Sequence, residues 1–504
     1  MALDKVDHTA DLSDLKEEQI GVKAEHADAI EGQHPPSEEE LRAVRRKVDW
    51  RLMPIMVGTY GLQFYDKTAL NQAALFGILQ DLDLVEVTKV NGTTITNTQR
   101  YSYVGMAFYM GYILGVYPIT FLAQKYRPGK VCAAIVLIWG VVELLTVVCN
   151  NFSGYFAQRF FLGLLESGVG PAFVIASSQW YTQAESALRI GIWFTASNGA
   201  ASMIGPLINY GFGSIDGALD GWQNIFLWAG LLTVAWGFVV LWLMPDDPKR
   251  AKFLTERERF VALERVRDNN SGMVDHHIKP SQMFEILRDP AALLLITLMF
   301  CACVSNSIVG LFASIIIKNL GFNTLQSIAL QVPAGFFGIL CGIVPMILVL
   351  KTNRWRTTII SVLTVVSLSG TAILYAVPRT LVGVILLGYY LNNCYTGTPV
   401  QVLALAAANV AGHTKKSTLN SCIFIAFCAS STMSPLIMNQ KDNYKSGFLG
   451  IMICQAYNIL AAQVLYYIYR TRNNKRDRQY GEKVSGRPFT DETDLQNTNF
   501  RYAW

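Results

Sequence analysis

Arg159 and Glu166 stand seven residues apart in Arg159-Phe-Phe-Leu-Gly-Leu-Leu-Glu166, a run that is otherwise apolar. On a helix turning about 100° per residue, seven steps make about two turns, so both side chains share one face. Asp66 and Lys67 break an earlier apolar run in the same way, in Tyr65-Asp66-Lys67-Thr68-Ala69-Leu70-Asn71. An ion in hydrocarbon is costly unless it faces a protein interior or a water-filled path, so such residues mark candidate routes for protons or solutes. A nearby guanidinium favours an ionised carboxylate and desolvation disfavours it. A carboxylate that alternates between those surroundings can bind and release a proton. Glu166 and Asp66 are therefore assigned to proton coupling, Arg159 to pairing with a carboxylate, and Lys67 to supplying positive charge for an anionic substrate. A fixed ion pair joining the two segments is the alternative use of the same charges.

The elements that carry these residues must be membrane helices. The chain has 504 residues, 52% of them hydrophobic and only 16% charged. Its apolar stretches of about 20 residues are each long enough to cross about 30 Å of hydrocarbon. Six spans fall at 52–76, 101–123, 130–149, 154–178, 188–212 and 223–244. Six more fall at 291–317, 326–350, 357–377, 381–409, 418–438 and 447–469. The reading divides the chain into a disordered tail (1–49), a six-helix half (50–244), a linker (245–290), a second six-helix half (291–470) and a polar tail (471–504). No signal peptide precedes the first span, so targeting falls to that span itself. The net charge of +5 comes from short basic clusters between spans, which gives no footing for nucleic acid.

Basic residues set the expected orientation. Arg45-Arg46-Lys47, Lys125/Arg127/Lys130, Lys249-Arg250, Lys351/Arg354/Arg356, Lys415-Lys416 and Arg470/Arg472/Lys475/Arg476 all fall on one side of a twelve-span count. That side is the cytoplasm, with both termini and the linker. The opposite loops hold Asp81, Asp83 and Glu86 and the sequons at Asn91 and Asn151; a third, at Asn269, falls in the linker and should be silent. The linker also carries Thr255-Glu-Arg-Glu258, a capping-box pattern ahead of a helical apolar spacing. The helix it starts should lie on the membrane surface, on the bundle, or free in solvent.

No metal or cofactor site is expected. The nine cysteines are dispersed through apolar runs, where a thiol packs as a small hydrophobe, and His276-His277 falls in a polar loop. No phosphate-binding glycine loop with a following lysine and no nucleophile elbow is present, which argues against an enzyme and against ATP-driven transport.

Two six-helix halves with a linker are the plan of the major facilitator fold, with a substrate site near the midplane between the halves. Leu122-Ala-Gln-Lys125-Tyr-Arg127-Pro-Gly129-Lys130 resembles a degenerate form of that superfamily's loop signature, with Gln124 where an acidic residue is usual. Trp50-Arg-Leu-Met-Pro54, Tyr65-Asp66-Lys67-Thr-Ala-Leu-Asn71, Arg159-Phe-Phe-Leu-Gly163-Leu-Leu-Glu166 and Pro245-Asp-Asp-Pro248 together resemble the fungal allantoate permease family, anion:cation symporters of the superfamily. The resemblance implies proton-driven uptake of a small organic anion such as a carboxylate vitamin or a ureide. It also implies that Asp66 and Glu166 are protonatable, with Lys67 and Arg159 as basic partners; a monomer in the plasma membrane is expected.

One departure bears on the substrate. The family's eleventh span often reads Cys-Ala-Gly-Asn; here it is Cys428-Ala-Ser-Ser431. The remaining polar residues on apolar helices serve either as interhelical hydrogen-bonding groups or as substrate contacts. Tyr65, Asn71, Asn198, Asn393, Tyr395, Thr396 and Ser431 are the substrate-binding candidates; Ser305, Asn306 and Gln331 are further polar positions. A metabolite-exporting antiporter is the second reading; Gly199 with Gly205-Pro206 matches the antiporter signature only in part, which together with the charges of the first and fourth spans favours symport. A non-transporting nutrient sensor on the same fold is the third.

Overall fold

A computed structural model describes residues 34, 36–90, 93–248, 251–271, 279–352, 355–438, 440–442, 444–481 and 492–504. Asn91, Lys249, Arg250, His276, His277, Arg354 and most of the 1–49 tail lie outside the described residues. The first half is built from Glu38–Ala73, Gln99–Lys125, Pro128–Leu144, the pair Phe152–Glu166 and Val169–Trp180, Gln183–Gly213, and Gly221–Leu243. The second half contains Pro290–Cys303 with two short helices to Lys318, then Thr324–Ala329 with Val332–Thr352, and Arg356–Ala376. It is completed by Val382–Asn392 with Gly397–Asn409, by His413–Ile437 and by Lys445–Tyr480. These are spans one to twelve of the major facilitator fold.

Local chemistry explains where the helices begin. Ser37 and Glu40 form a reciprocal capping box at the first span, and Thr182 and Glu185 form one at the fifth. Asn151 caps the fourth span by accepting from the Gly154 amide at 2.7 Å. Asp289 accepts from Ala291 N at 3.1 Å at the start of the seventh, where Pro290 supplies no donor that would be left unpaired.

Among the described residues, nine helical stretches are long and apolar enough to cross a membrane. The first, fifth and tenth spans are not among them. They are the ones that carry Asp66 and Lys67, Asn198, and the 3-10 turn Asn393–Thr396, so polarity placed for a site is what lowers their hydropathy.

Glu86–Val90 and Thr93–Asn97 pair as an antiparallel hairpin between the first two spans. The span count places no strands in this loop, although β-branched residues flank Asn91-Gly92, a strong hairpin dipeptide.

Three buried clusters organise the bundle. One joins both halves at the hairpin end and includes Leu70, Tyr101, Trp222, Ile308, Phe312 and Tyr444. A second gathers the first half with Ala251, Leu254, Val261 and Ala262 of the linker and with Cys428, and a third gathers the second half with Ile286 and Tyr502. Hydrogen bonds between the halves reinforce the first cluster: Asn71 Nδ2 donates to Gln331 Oε1 at 3.0 Å, Ser314 N to Asn71 Oδ1 at 2.9 Å, and Tyr101 Oη to the Leu311 carbonyl at 2.9 Å. The two halves are thus sealed together at the hairpin end.

The linker helix Glu256–Ser271 starts at the expected box, with Thr255 N donating to Glu258 Oε2 at 2.8 Å. It docks on the first half rather than lying free. Val261, Ala262 and Val266 are buried, Arg265 pairs with Glu185 at 2.6 Å and Lys47 with Glu258 at 2.8 Å.

The end of the chain also packs, where the sequence reads as a polar tail. Tyr502 stacks on Tyr469 with ring centroids 5.0 Å apart, and Asp494 meets the fully buried Lys415 at 2.8 Å. Lys415 also contacts Glu285 and Asp289, and Arg472 shares Asp289. Despite its burial, the Asp289 carboxyl is held below its ordinary value by Arg472 and Lys415.

Candidate functional site

The site begins with how closely the second and fourth spans approach. A Cβ added at Gly163 would stand 1.9 Å from the Phe108 carbonyl oxygen, and one at Gly111 the same distance from that of Phe160. Only hydrogen fits there, so the two backbones lie in contact. This contact sets the Phe108 ring under the first span, where Lys67 Nζ lies 5.3 Å from the Phe108 centroid and 5.2 Å from that of Tyr112.

The fourth span breaks after Glu166, and the break is used. Gln63 on the first span donates its amide to the Glu166 carbonyl at 2.8 Å, satisfying a backbone group that a continuous helix would have kept. The Glu166 carboxylate is fully buried. Its Oε2 lies 3.6 Å from Lys67 Nζ, close enough for an ion pair and too far for a hydrogen bond. Neither of its oxygens has a hydrogen-bond partner among the described residues.

Arg159 shares the helix face of Glu166 but engages different groups. Its Nε and Nη2 donate to the Tyr155 hydroxyl at 2.9 and 2.7 Å, and its guanidinium lies over the Tyr155 and Phe226 rings. Asp66 faces away from the cavity, into the first half. Trp139 Nε1 donates to Asp66 Oδ2 at 2.9 Å, and Thr233 donates to the same oxygen at 3.4 Å. Thr233 reaches it because Gly140 admits the sixth span, whose Val234 N would lie 2.8 Å from a Cβ there.

A cavity of about 220 Å³ lies between the halves. Of the predicted residues, Lys67, Asn71, Arg159, Asn198, Asn393, Tyr395, Thr396 and Ser431 line it. Lys67 and Arg159 are the charged residues in that lining; Asp66 and Glu166 are placed behind it. Tyr65 is also outside the lining, because its hydroxyl donates to Asn209 on the fifth span.

The second half supplies neutral polar groups. Tyr395 Oη donates to Asn306 Oδ1 at 3.0 Å, and Asn306 Nδ2 donates to Tyr109 Oη at 2.8 Å, which makes a hydrogen-bonded wall across both halves. Asn393 Nδ2 donates to the Ala334 carbonyl. Asn198 Oδ1 and Thr195 Oγ1 are buried, line the cavity and have no hydrogen-bond partner among the described residues. Asn71, by contrast, is held in the amide network that closes the hairpin end, where Gln331 Nε2 donates to Ser314 Oγ at 2.9 Å.

Sequence reasoning missed Glu143 on the third span, which is fully buried behind the same cavity. Its signal was available as Trp139-Gly-Val-Val-Glu143, an aromatic donor and an acid four residues apart on one helical face.

Two bundles of membrane helices around a central polar cavity are the arrangement of a secondary transporter. Residues 56–468 match the family described as Major Facilitator Superfamily, and the chain belongs to it. It is 32% identical to "Uncharacterized transporter C757.13" of Schizosaccharomyces pombe, over 92% of this chain and 88% of that protein. It is 28% identical to the allantoate permease of Saccharomyces cerevisiae, over 98% of this chain and 91% of that one. These relatives bear out the resemblance to the allantoate permease family. The fold is shared with a D-xylose-proton symporter of known structure, at a TM-score of 0.59 and 13% identity over 83% of this chain and 97% of that one.

Proposed function

We propose that this protein carries a small organic anion across the membrane together with protons, in the direction of uptake. The observation that supports this reading most is the division of charge around the cavity. Lys67 and Arg159 line it, while Asp66 and Glu166 are buried behind them. A carboxylate entering the cavity meets two cations with donors to spare. It then competes with Glu166 for Lys67. When the anion takes Lys67, Glu166 is left buried without a counter-charge, a state costly enough that a proton must join it. Substrate and proton thereby enter together, the requirement for symport.

The neutral polar wall of Tyr395, Asn306 and Tyr109 suits a carboxylate vitamin, a ureide or a related metabolite. Ser431 in the lining offers a hydroxyl where the allantoate permease family often has an amide, so the substrate need not be that of a relative. The basic clusters favour both termini and the linker in the cytoplasm, with the sealed hairpin end outside. The cell surface is the membrane this orientation serves, and one chain encloses the whole cavity, as a monomer requires. Residues 50–244 and 291–470 form the two moving halves in this reading.

Radiolabelled uptake in a permease-deficient host, across a panel of carboxylate vitamins, ureides and amino-acid derivatives, tests the proposal. Accumulation of at least one carboxylate, increased by an acidic exterior and lost with a protonophore, supports it. Accumulation indifferent to the proton gradient sinks the coupling, and outward movement favours the antiporter.

A further inference from the structure

Three buried carboxylates face two cations in the first half, and one of the three, Glu143, has no role in the exchange described above. Its side chain is completely buried on the third span. One of its oxygens has no hydrogen-bond partner among the described residues, and the other is 3.5 Å from Gln158 Nε2. The Arg159 guanidinium is within electrostatic reach, yet its directional bonds go to Tyr155. Glu143 therefore lacks the bidentate cation that would hold a carboxylate ionised at such a depth.

Its position links it to Asp66. Trp139 and Glu143 share one face of the third span, one turn apart, and Trp139 donates its indole N–H to Asp66. The charged and titratable groups facing Glu143 are Asp66 and Tyr65 from the first span and Arg159, Tyr155 and Glu166 from the fourth. The sixth span brings the neutral Thr233 to Asp66. Two neighbouring carboxylates in a water-poor site cannot both ionise at low cost, so they titrate as a pair.

We propose that Glu143 and Asp66 form a second proton-binding site, set behind the cavity and separate from the Lys67–Glu166 pair, in which Glu143 holds a proton of the transport cycle. With Glu143 included, full ionisation would leave an excess negative charge in the first half even before substrate arrives. This extends the proposed symport and rests on it for the word transport, whereas proton binding at Glu143 stands by itself.

Infrared difference spectroscopy of the full chain in lipid, stepped in pH without substrate, reads the carboxyl groups directly. Asp66→Asn assigns the Asp66 band. Glu143→Gln is expected to remove one titrating buried carboxyl band and to shift the Asp66 titration. An unchanged set of bands and an unshifted Asp66 titration overturns the proposal. If Glu143→Gln does not fold, Gln158→Leu decides: a shift in a buried carboxyl band that survives both Asp66→Asn and Glu166→Gln supports the site, and an unshifted set overturns it. No substrate enters this measurement. A chain that accumulates no anion yet shows the Glu143 band refutes the symport reading alone; proton-driven uptake with no such band refutes Glu143 alone.

Discussion

Lys67 lies 3.6 Å from Glu166 across the first and fourth spans, with the rings of Phe108 and Tyr112 enclosing its ammonium group. It is the cation that both lines the cavity and touches a carboxylate behind it. Lys67 thereby connects substrate binding to the state of Glu166.

Replacing Lys67 by Met should cost more in substrate affinity than in protein abundance. The lost charge-assisted contact is worth about 1.5–3 kcal/mol, a rise in KM of roughly tenfold to a hundredfold. Uptake kinetics across substrate concentrations check this; an unchanged KM would remove Lys67 from the anion site.

Arg159→Lys should fail although it keeps the charge. Tyr155 accepts from both Nε and Nη2 of a planar fork, which a single ammonium cannot reproduce. Transport should fall at least tenfold, by about 1.4 kcal/mol or more, with the chain still delivered to the membrane. Wild-type transport by Arg159→Lys would show that charge alone suffices.

Gly163→Ala should destabilise the bundle, because the added Cβ meets the Phe108 carbonyl oxygen at 1.9 Å and backbone cannot yield as a side chain does. Overpacking of this kind costs about 1–3 kcal/mol. A lower Tm in detergent is the readout. Gly170→Ala is the control, since nothing lies within 4 Å of its added Cβ.

Lys415→Met should lower stability more than any single change on the exposed surface. It leaves Glu285, Asp289 and Asp494 clustered without their shared cation, and breaking a buried pair costs about 3–5 kcal/mol. A thermal melt of the purified chain tests it, and a Tm equal to that of the parent would show that Arg472 alone holds the cluster.

Much of this was legible in the sequence for one reason: hydrocarbon tolerates charge badly, so Asp66, Lys67, Arg159 and Glu166 stood out against their spans. Glu143 was equally anomalous, but it was absorbed into the apolar span 130–149 because no second charge stood beside it. The seven-residue spacing put Arg159 and Glu166 on one face and could not say which cation Glu166 would meet. That depends on the break after Glu166 and on the approach of the first span, both tertiary facts. The docking of Tyr502 and Asp494 was illegible for a similar reason, since their partners Tyr469 and Lys415 lie on other elements. Tyr65 shows the limit of reading a face from spacing: its neighbour Lys67 lines the cavity, while its own hydroxyl goes to Asn209.

The most direct test of the exchange at Lys67 uses purified protein in liposomes, loaded with an anion found by the uptake panel, with Glu166→Gln beside the parent chain. The parent should accumulate the anion under an inward proton gradient and should exchange it across the membrane without one. Glu166→Gln should lose the gradient-driven accumulation and keep the exchange, because its neutral amide mimics the protonated acid permanently. Gradient-driven accumulation by Glu166→Gln equal to that of the parent would contradict the account.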